Sequence, residues 1–371
     1  SAKLPGARAQ APAPPLPRYR TTTARPSPRP AAMLRASLLL LAAPAAAALH
    51  TQREGLLDKA MEEAAELQAG LRCEQQDVSF AMMSMRICLI NWVIMGDQSK
   101  GTWKDTNQVG CWKLKAYNTD NFLSSGWYQN SNGECALVFS GYHGKLVGMG
   151  RAALSLSWPP IRYNMCGNMM YAPYVRLLRH HTSLGNWSTI MNGIAGHKST
   201  CRGGVSLAAE SMGGSSLEIM ASCAALGEMR QLQNASLPAS FPVKQLYTFG
   251  APAASLRPIK NPLSEDGCWK GKRIFQSSDY IARLGSTLGP LKHPYMEALE
   301  IQELPEGISH QEYSCKSKGA TNDGMQPMPP ADNRTRSNQQ AEAGMVHEVT
   351  EYAKVLKVLA ALPQGQAPRA Q

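Results

Sequence analysis

None of the nine cysteines (positions 73, 88, 111, 135, 166, 201, 223, 268 and 315) stands in a CxxC pair, which argues against a zinc ribbon or a thioredoxin-like redox site. Basic residues are concentrated on no helix or loop. The formal charge of +11 is inflated by residues 1–48, which hold seven basic residues and no acidic one, so the remainder carries 31 basic against 27 acidic residues. That balance is no nucleic-acid footprint. Long apolar runs are missing too. The run that follows Met33 is shorter than the ~20 residues a bilayer requires and is broken by Pro44. No segment repeats another.

What is present begins with a composition shift. Residues 1–32 are rich in Pro, Ala and Arg with almost no large apolar side chain, so they are expected to be disordered and to lie upstream of a natural start at Met33. Arg35, the leucine-rich run 36–43 and the close at Ala46-Ala47-Ala48 give residues 33–48 the pattern of a secretory signal peptide. The expected location is therefore outside the cell or in the lumen of the secretory route, with no transmembrane segment after cleavage. In an oxidising compartment some cysteines pair, and an odd count leaves at least one over. Cys135 and Cys223 fall in apolar segments and are expected to be plain core residues rather than disulfide partners. Sequons at Asn186, Asn234 and Asn333 fit the same route.

Residues 49–104 are expected to form an N-terminal helix and lead-in. Leu56, Ala60, Ala64, Leu67 and Leu71 share one helical face there. Trp112–Tyr117 alternates bulky and lysine side chains, which predicts a strand. Ser125–Tyr128, a turn at Asn130–Gly133 and Cys135–Phe139 predict a hairpin whose second strand is wholly apolar, as buried central strands are. A helix around Ala172–His181 and a loop to Gly204 follow. Further strands are predicted at Val205–Glu210, Val243–Phe249, Arg273–Ser277 and Met296–Ile301, with loop over 250–270. Lys316–Gly344 reads as a polar loop and Met345–Leu362 as an amphipathic helix. Strands alternating with helices imply one mostly parallel sheet, placed in a domain spanning 105–362, with a tail at 363–371.

The chemistry centres on Val205–Met220. A short apolar strand meets a helix that carries Leu217, Ala221 and Ala224 at helical spacing. Ser211 sits at the junction, with Ala209 and Gly213 two residues to either side. A serine on a sharp strand-to-helix turn needs small flanks, because the turn brings their Cα atoms together; this is the geometry of a nucleophile elbow. A serine nucleophile needs a base within hydrogen-bond reach and a third group to hold that base. Asp279, after a predicted strand, and His347, before the last helix, follow Ser211 at equal intervals of 68 residues in the order Ser, Asp, His. His293 and His310 are rival bases. His347-Glu348 lacks the second histidine of a zinc helix, so neither metal nor cofactor is implied.

Four segments carry a resemblance to the class 3 (fungal-type) lipase family of α/β-hydrolases. Cys135-Ala-Leu-Val-Phe-Ser-Gly-Tyr142 resembles that family's F-R-G-[ST] strand end, whose last residue helps form the oxyanion hole. Ala208-Ala-Glu-Ser-Met-Gly-Gly214 is similar to its G-H-S-L-G-G elbow. Leu246-Tyr-Thr-Phe-Gly-Ala-Pro252 is similar to Y-T-F-G-x-P and is the most specific match. Phe275–Leu284 resembles the segment carrying the acid. Tyr352 comes two residues too late for the terminal H-x-x-Y and is left out of the match.

The resemblance covers roughly residues 105–360 and implies an α/β-hydrolase fold with a Ser211–Asp279–His347 triad. It implies an oxyanion hole lined by the amides of Tyr142 and Met212, and a lid over 143–158. The implied activity is hydrolysis of carboxylic esters, with acyl lipids at an interface as the implied substrate. A phospholipid, galactolipid or other ester, or a non-catalytic binding role, are the alternatives. The sequence departs from the family at four places: Ser140 for Arg, Tyr142 for Ser or Thr, Ala209 for Gly, and Glu210 for His.

Overall fold

A computed structural model describes residues 75–96, 107–120, 123–141, 162–233, 237–279, 281–283, 291–304, 307–321 and 349–361, with isolated residues 62 and 71. Chain contacts divide the molecule at Glu54/Gly55. Residues 1–54, with the expected signal peptide, lie outside the described set, as do most of the expected Leu56–Leu71 helix, the candidate lid, most of the expected polar loop and the tail. Everything below concerns the second unit.

The elements, in chain order, are α1 (Gln76–Gly96), β1 (Gln108–Val109), β2 (Trp112–Thr119), β3 (Ser124–Asn130), β4 (Cys135–Ser140), β5 (Arg162–Met165), β6 (Asn168–Tyr171), α2 (Ala172–Thr182), α3 (Trp187–Ala195), β7 (Val205–Glu210), α4 (Ser211–Ala225), β8 (Val243–Phe249), β9 (Trp269–Gln276), β10 (Met296–Leu304), β11 (Gly307–Tyr313), α5 (Lys318–Thr321) and α6 (Val349–Ala361). Among the described residues nine strands form one sheet in the order β1-β2-β3-β4-β7-β8-β9-β10-β11, and β5-β6 is a separate hairpin. The sheet is parallel from β4 through β10. Antiparallel strands flank it on both sides.

The central strands β4 and β7 are mostly apolar because both faces are covered. Along β4, Cys135, Leu137 and Phe139 enter one core, shared with α2, α3 and α4. Ala136 and Val138 enter the opposite core with α1 and α6. Alternation with a period of two therefore feeds two layers, and neither face can be polar. β7 behaves alike, with Leu207 and Ala209 on the first face and Ala208 on the second.

The mostly parallel sheet and every strand expected from the sequence are observed, though β9 and β10 extend beyond the predicted ends. Elements additional to those expectations include α1, β1, the β5–β6 hairpin, α3, β11 and α5, the last inside the expected polar loop. The α1 segment is apolar on nearly all sides, so it carries no helical period to read; its residues 78–87 are buried, in a core shared with the sheet and α6. α3 occupies part of the expected loop before Gly204, held by buried Trp187, Ile190, Met191 and Ile194. β11 is a polar edge strand whose pairing with β10 supplies the order that its composition does not.

Disulfides join Cys135 to Cys201, Cys166 to Cys223 and Cys268 to Cys315. The expectation for Cys135 and Cys223 is thus corrected. Both are buried among apolar side chains as anticipated, but a disulfide is itself an apolar group, so burial does not separate the two states. Their Cα separations to the partners, 5.3 and 4.7 Å, are those a disulfide spans. Cys111 is disulfide-bonded as well, and Cys88 is a half-buried thiol. Among the described residues no helix is long and apolar enough to cross a membrane.

Candidate active site

Ser211 follows β7 directly and opens α4. Its φ of 51° lies in the left-handed region, which costs a non-glycine residue roughly 1–2 kcal/mol. The strand enters the turn extended at Glu210 (φ −107°, ψ 160°) and the helix begins at once, so the serine is the pivot of the reversal. Two glycines permit it. A Cβ on Gly141 would lie 2.5 Å from the Ser211 Cβ, and one on Gly213 would lie 2.7 Å from the Ser140 carbonyl oxygen. The end of β4, the elbow and the first helical turn approach more closely than side chains would allow.

β7, β8 and β9 are consecutive neighbours, so the residues after their carboxyl ends share one edge of the sheet. Asp279 follows β9 by a short turn closed by its own amide on the Gln276 carbonyl at 3.1 Å. With one strand between, the exits of β7 and β9 stand about 10 Å apart. The Asp279 carboxyl is buried. Oδ1 accepts the amides of Ile281 (2.8 Å) and Ala282 (3.2 Å), and Oδ2 accepts the Tyr352 hydroxyl at 2.5 Å. Through Oδ1, Asp279 thus also caps the helical turn that follows it. Burial first, and then the Asp279 charge beside it, push the Tyr352 hydroxyl well above the ordinary tyrosine range, so it stays a donor.

A parallel sheet flanked by helices, with a left-handed serine between a central strand and the following helix, decides the architecture. The chain has an α/β-hydrolase fold.

This hydrolase fold is similar to that of lipase II from Rhizopus niveus (11% identity over 68% of this chain and 89% of that one, TM-score 0.43) and to the Lip2 lipase from Yarrowia lipolytica (11% over 73% and 90%, TM-score 0.43). A triacylglycerol lipase from Penicillium expansum is similar at 10% identity, over 60% of this chain and 81% of that one, with a TM-score of 0.35. No protein-family model matches the sequence, and no curated protein sequence matches it.

Of the five candidate residues, the structure places Ser211 and Asp279 on one sheet edge and Met212 in the first turn of α4. Tyr142 and His347 lie outside the described residues. Tyr352 is the residue the motif match passed over. It lies on α6, and its ring reaches Asp279 although its spacing from His347 differs from the family pattern. Only the placement of α6 over β8 and β9 brings the two together.

The rival histidines occupy other settings. His293 is fully buried, its Nδ1 3.0 Å from Glu218 Oε1 on α4. Burial, and then the nearby Arg273 charge, hold the imidazole well below its usual range, while burial raises the Glu218 carboxyl. Burial thus disfavours charge on both members of the pair. Arg273 is buried with them; burial lowers its guanidinium to about 10, and it stacks over the Phe275 ring at 4.0 Å. His310 lies on edge strand β11, opposite Ile301.

A second serine–histidine–aspartate string was not singled out in the sequence. Ser125 Oγ lies 2.8 Å from His181 Nε2, and His181 Nδ1 lies 2.8 Å from Asp120 Oδ2. Its distances are those of a catalytic relay, but Ser125 and His181 are completely buried. Ser125 stands within β3 between Asn118 and Phe139, so no acyl group can approach its oxygen. The string braces the end of α2 against the β2–β3 turn, helped by Asn118 Nδ2 donating to the His181 carbonyl at 3.0 Å. Among the described residues no group of three His, Cys, Asp or Glu side chains is arranged to hold a metal ion.

Proposed function

We propose that this chain is a serine hydrolase of carboxylic esters, acting on acyl lipids, and that Ser211, Asp279 and His347 are its triad. The observation that carries the reading is Ser211 itself, held at φ 51° on the edge it shares with a buried, amide-anchored Asp279. A strained left-handed serine is retained where the turn must present its hydroxyl. In this reading Ser211 Oγ attacks the acyl carbon as His347 takes its proton. The oxyanion forms against the amides of Met212 and Tyr142, and the imidazolium returns the proton to the departing alcohol. Water then repeats the sequence on the acyl-enzyme and frees the acid and the serine. Asp279, kept in place by the Ile281 and Ala282 amides and the Tyr352 hydroxyl, orients the imidazole.

The predicted signal peptide and the disulfides support secretion or residence in the secretory lumen. The apolar, glycine-punctuated stretch 143–158 is assigned as a lid that opens at a lipid surface. One observation favours a second reading, a non-catalytic binding protein on the same fold: Glu210 places a carboxylate beside Ser211 where a developing oxyanion would be repelled. A fluorophosphonate probe separates the two. The esterase is labelled at Ser211 and the Ser211→Ala variant is not; an unlabelled wild type, or equal labelling of both, removes the esterase reading. A panel of soluble esters, triacylglycerols, phospholipids and galactolipids, assayed below and above the solubility limit, tests substrate class and lid together.

A further inference from the structure

Glu210 is the one elbow residue whose chemistry is unlike that of the resembling family, and its side chain does not point away. It is 7% exposed, and its Oε1 accepts the backbone N–H of Gly141 at 2.9 Å. The position of that bond is informative. β4 and β7 pair in parallel up to Phe139 opposite Ala209. Beyond that pair β7 turns to β8 alone, with Glu210 opposite Phe249. The Gly141 amide thus lies past the end of the β4–β7 ladder, and a side chain supplies its acceptor. The carboxylate extends the connection between the two strands by one peptide, at the point where β4 reaches the nucleophile.

We propose that Glu210 is a positioning residue, which clamps the Gly141 peptide against the elbow and so fixes the exit of the oxyanion strand relative to Ser211. The inference rests on the esterase reading above. Two physical points give it content. A buried amide left without an acceptor carries its full desolvation penalty, so loss of the clamp lets this backbone move to find another. A displacement of about 1 Å at a reacting centre can cost on the order of a hundredfold in rate. The clamp needs an acceptor oxygen and does not need a charge, since a carboxylate beside a forming oxyanion repels it.

The test compares Glu210→Ala and Glu210→Gln with wild type, using a soluble short-chain nitrophenyl ester and the rate of fluorophosphonate labelling. Thermal melting of each protein establishes that it is folded. Glu210→Ala is expected to lose at least about tenfold in kcat and in labelling rate, with KM changed less than about twofold. Glu210→Gln keeps the acceptor and is expected to restore the rate to wild type or above it. Hydrogen exchange over the β4 exit, read in the Ser211→Ala background, gives a measure independent of turnover: it quickens in Glu210→Ala and not in Glu210→Gln. A folded Glu210→Ala protein that turns over and labels like wild type overturns the clamp alone. So does a Gln variant as slow as the Ala variant, because the charge would then be what matters. A wild type that neither hydrolyses nor labels overturns the esterase reading, and the clamp's catalytic role with it.

Discussion

The Tyr352 hydroxyl donates to Oδ2 of Asp279 at 2.5 Å, across 73 residues of sequence, and the Gln276 amide donates in turn to the tyrosine oxygen at 3.3 Å. α6 is thereby fastened to the turn that carries the candidate acid, in a fully buried setting where the carboxyl has no solvent to fall back on.

Tyr352→Phe keeps the ring and removes that donor. Asp279 retains its two amides, so the turn holds, but one carboxylate oxygen loses the tyrosine donor. A hydrogen bond to a charged group contributes about 1.5–3 kcal/mol. The variant should melt lower by a corresponding amount and lose roughly tenfold in kcat on a soluble ester, with KM little changed. Equal kcat in the two proteins would show that Tyr352 fastens the helix and leaves the acid's orientation to other contacts.

The backbone of Ser211 makes a separate prediction that needs no substrate. Ser211→Ala and Ser211→Gly both remove the hydroxyl, but only glycine adopts φ 51° without steric cost. After allowance for the greater freedom of glycine in the unfolded chain, Ser211→Gly should be more stable than Ser211→Ala by about 0.5–1 kcal/mol in denaturant titrations. Equal stability would mean that the elbow relaxes when the side chain is cut.

Glu218 on α4 carries a pH signature. Burial raises its carboxyl above its ordinary value of 4.5, so over the interval from 4.5 up to its folded value the native state holds a proton that the unfolded chain releases. Its contribution to stability is complete below about pH 4.5 and is lost as the pH rises through the folded value. Glu218→Gln copies the neutral acid, keeps an oxygen for His293 and has no such loss. Relative to wild type, the Gln variant should therefore gain in melting temperature as the pH rises above about 4.5. A difference that is constant over that range would mean that Glu218 ionises normally in the fold.

Ser125→Ala distinguishes the two serine–histidine–aspartate arrangements. Removing a buried hydroxyl that bonds His181 at 2.8 Å should cost about 1–2 kcal/mol of stability. Fluorophosphonate labelling should persist, because the Ser125 oxygen is enclosed. Loss of labelling in a folded Ser125→Ala protein, with retention in Ser211→Ala, would move the active site to the β2–β3 edge.

Much of this molecule is local chemistry that a sequence displays. Apolar runs of six or seven residues are strands buried on two faces, and the bounds of β7 and β8 are those the sequence predicts. Small residues flanking a serine are common by chance; the Ser211 turn is legible through its place between the segments 135–142 and 246–252, with an acid following in order. α1 was not legible, since a helix enclosed on nearly all sides loses the amphipathic period that marks one.

The sequence by itself determined the order of strands and helices, the serine between them and the acid after a later strand, because each depends on neighbours a few residues away. Only the tertiary structure decided which partners those groups keep. Tyr352 reaches Asp279, Glu218 meets His293, Cys135 and Cys223 find Cys201 and Cys166, and Glu210 turns onto Gly141. Each is a contact between segments distant in sequence, fixed by the register of parallel strands and the packing of helices across them, and no local pattern of residues encodes such a distance.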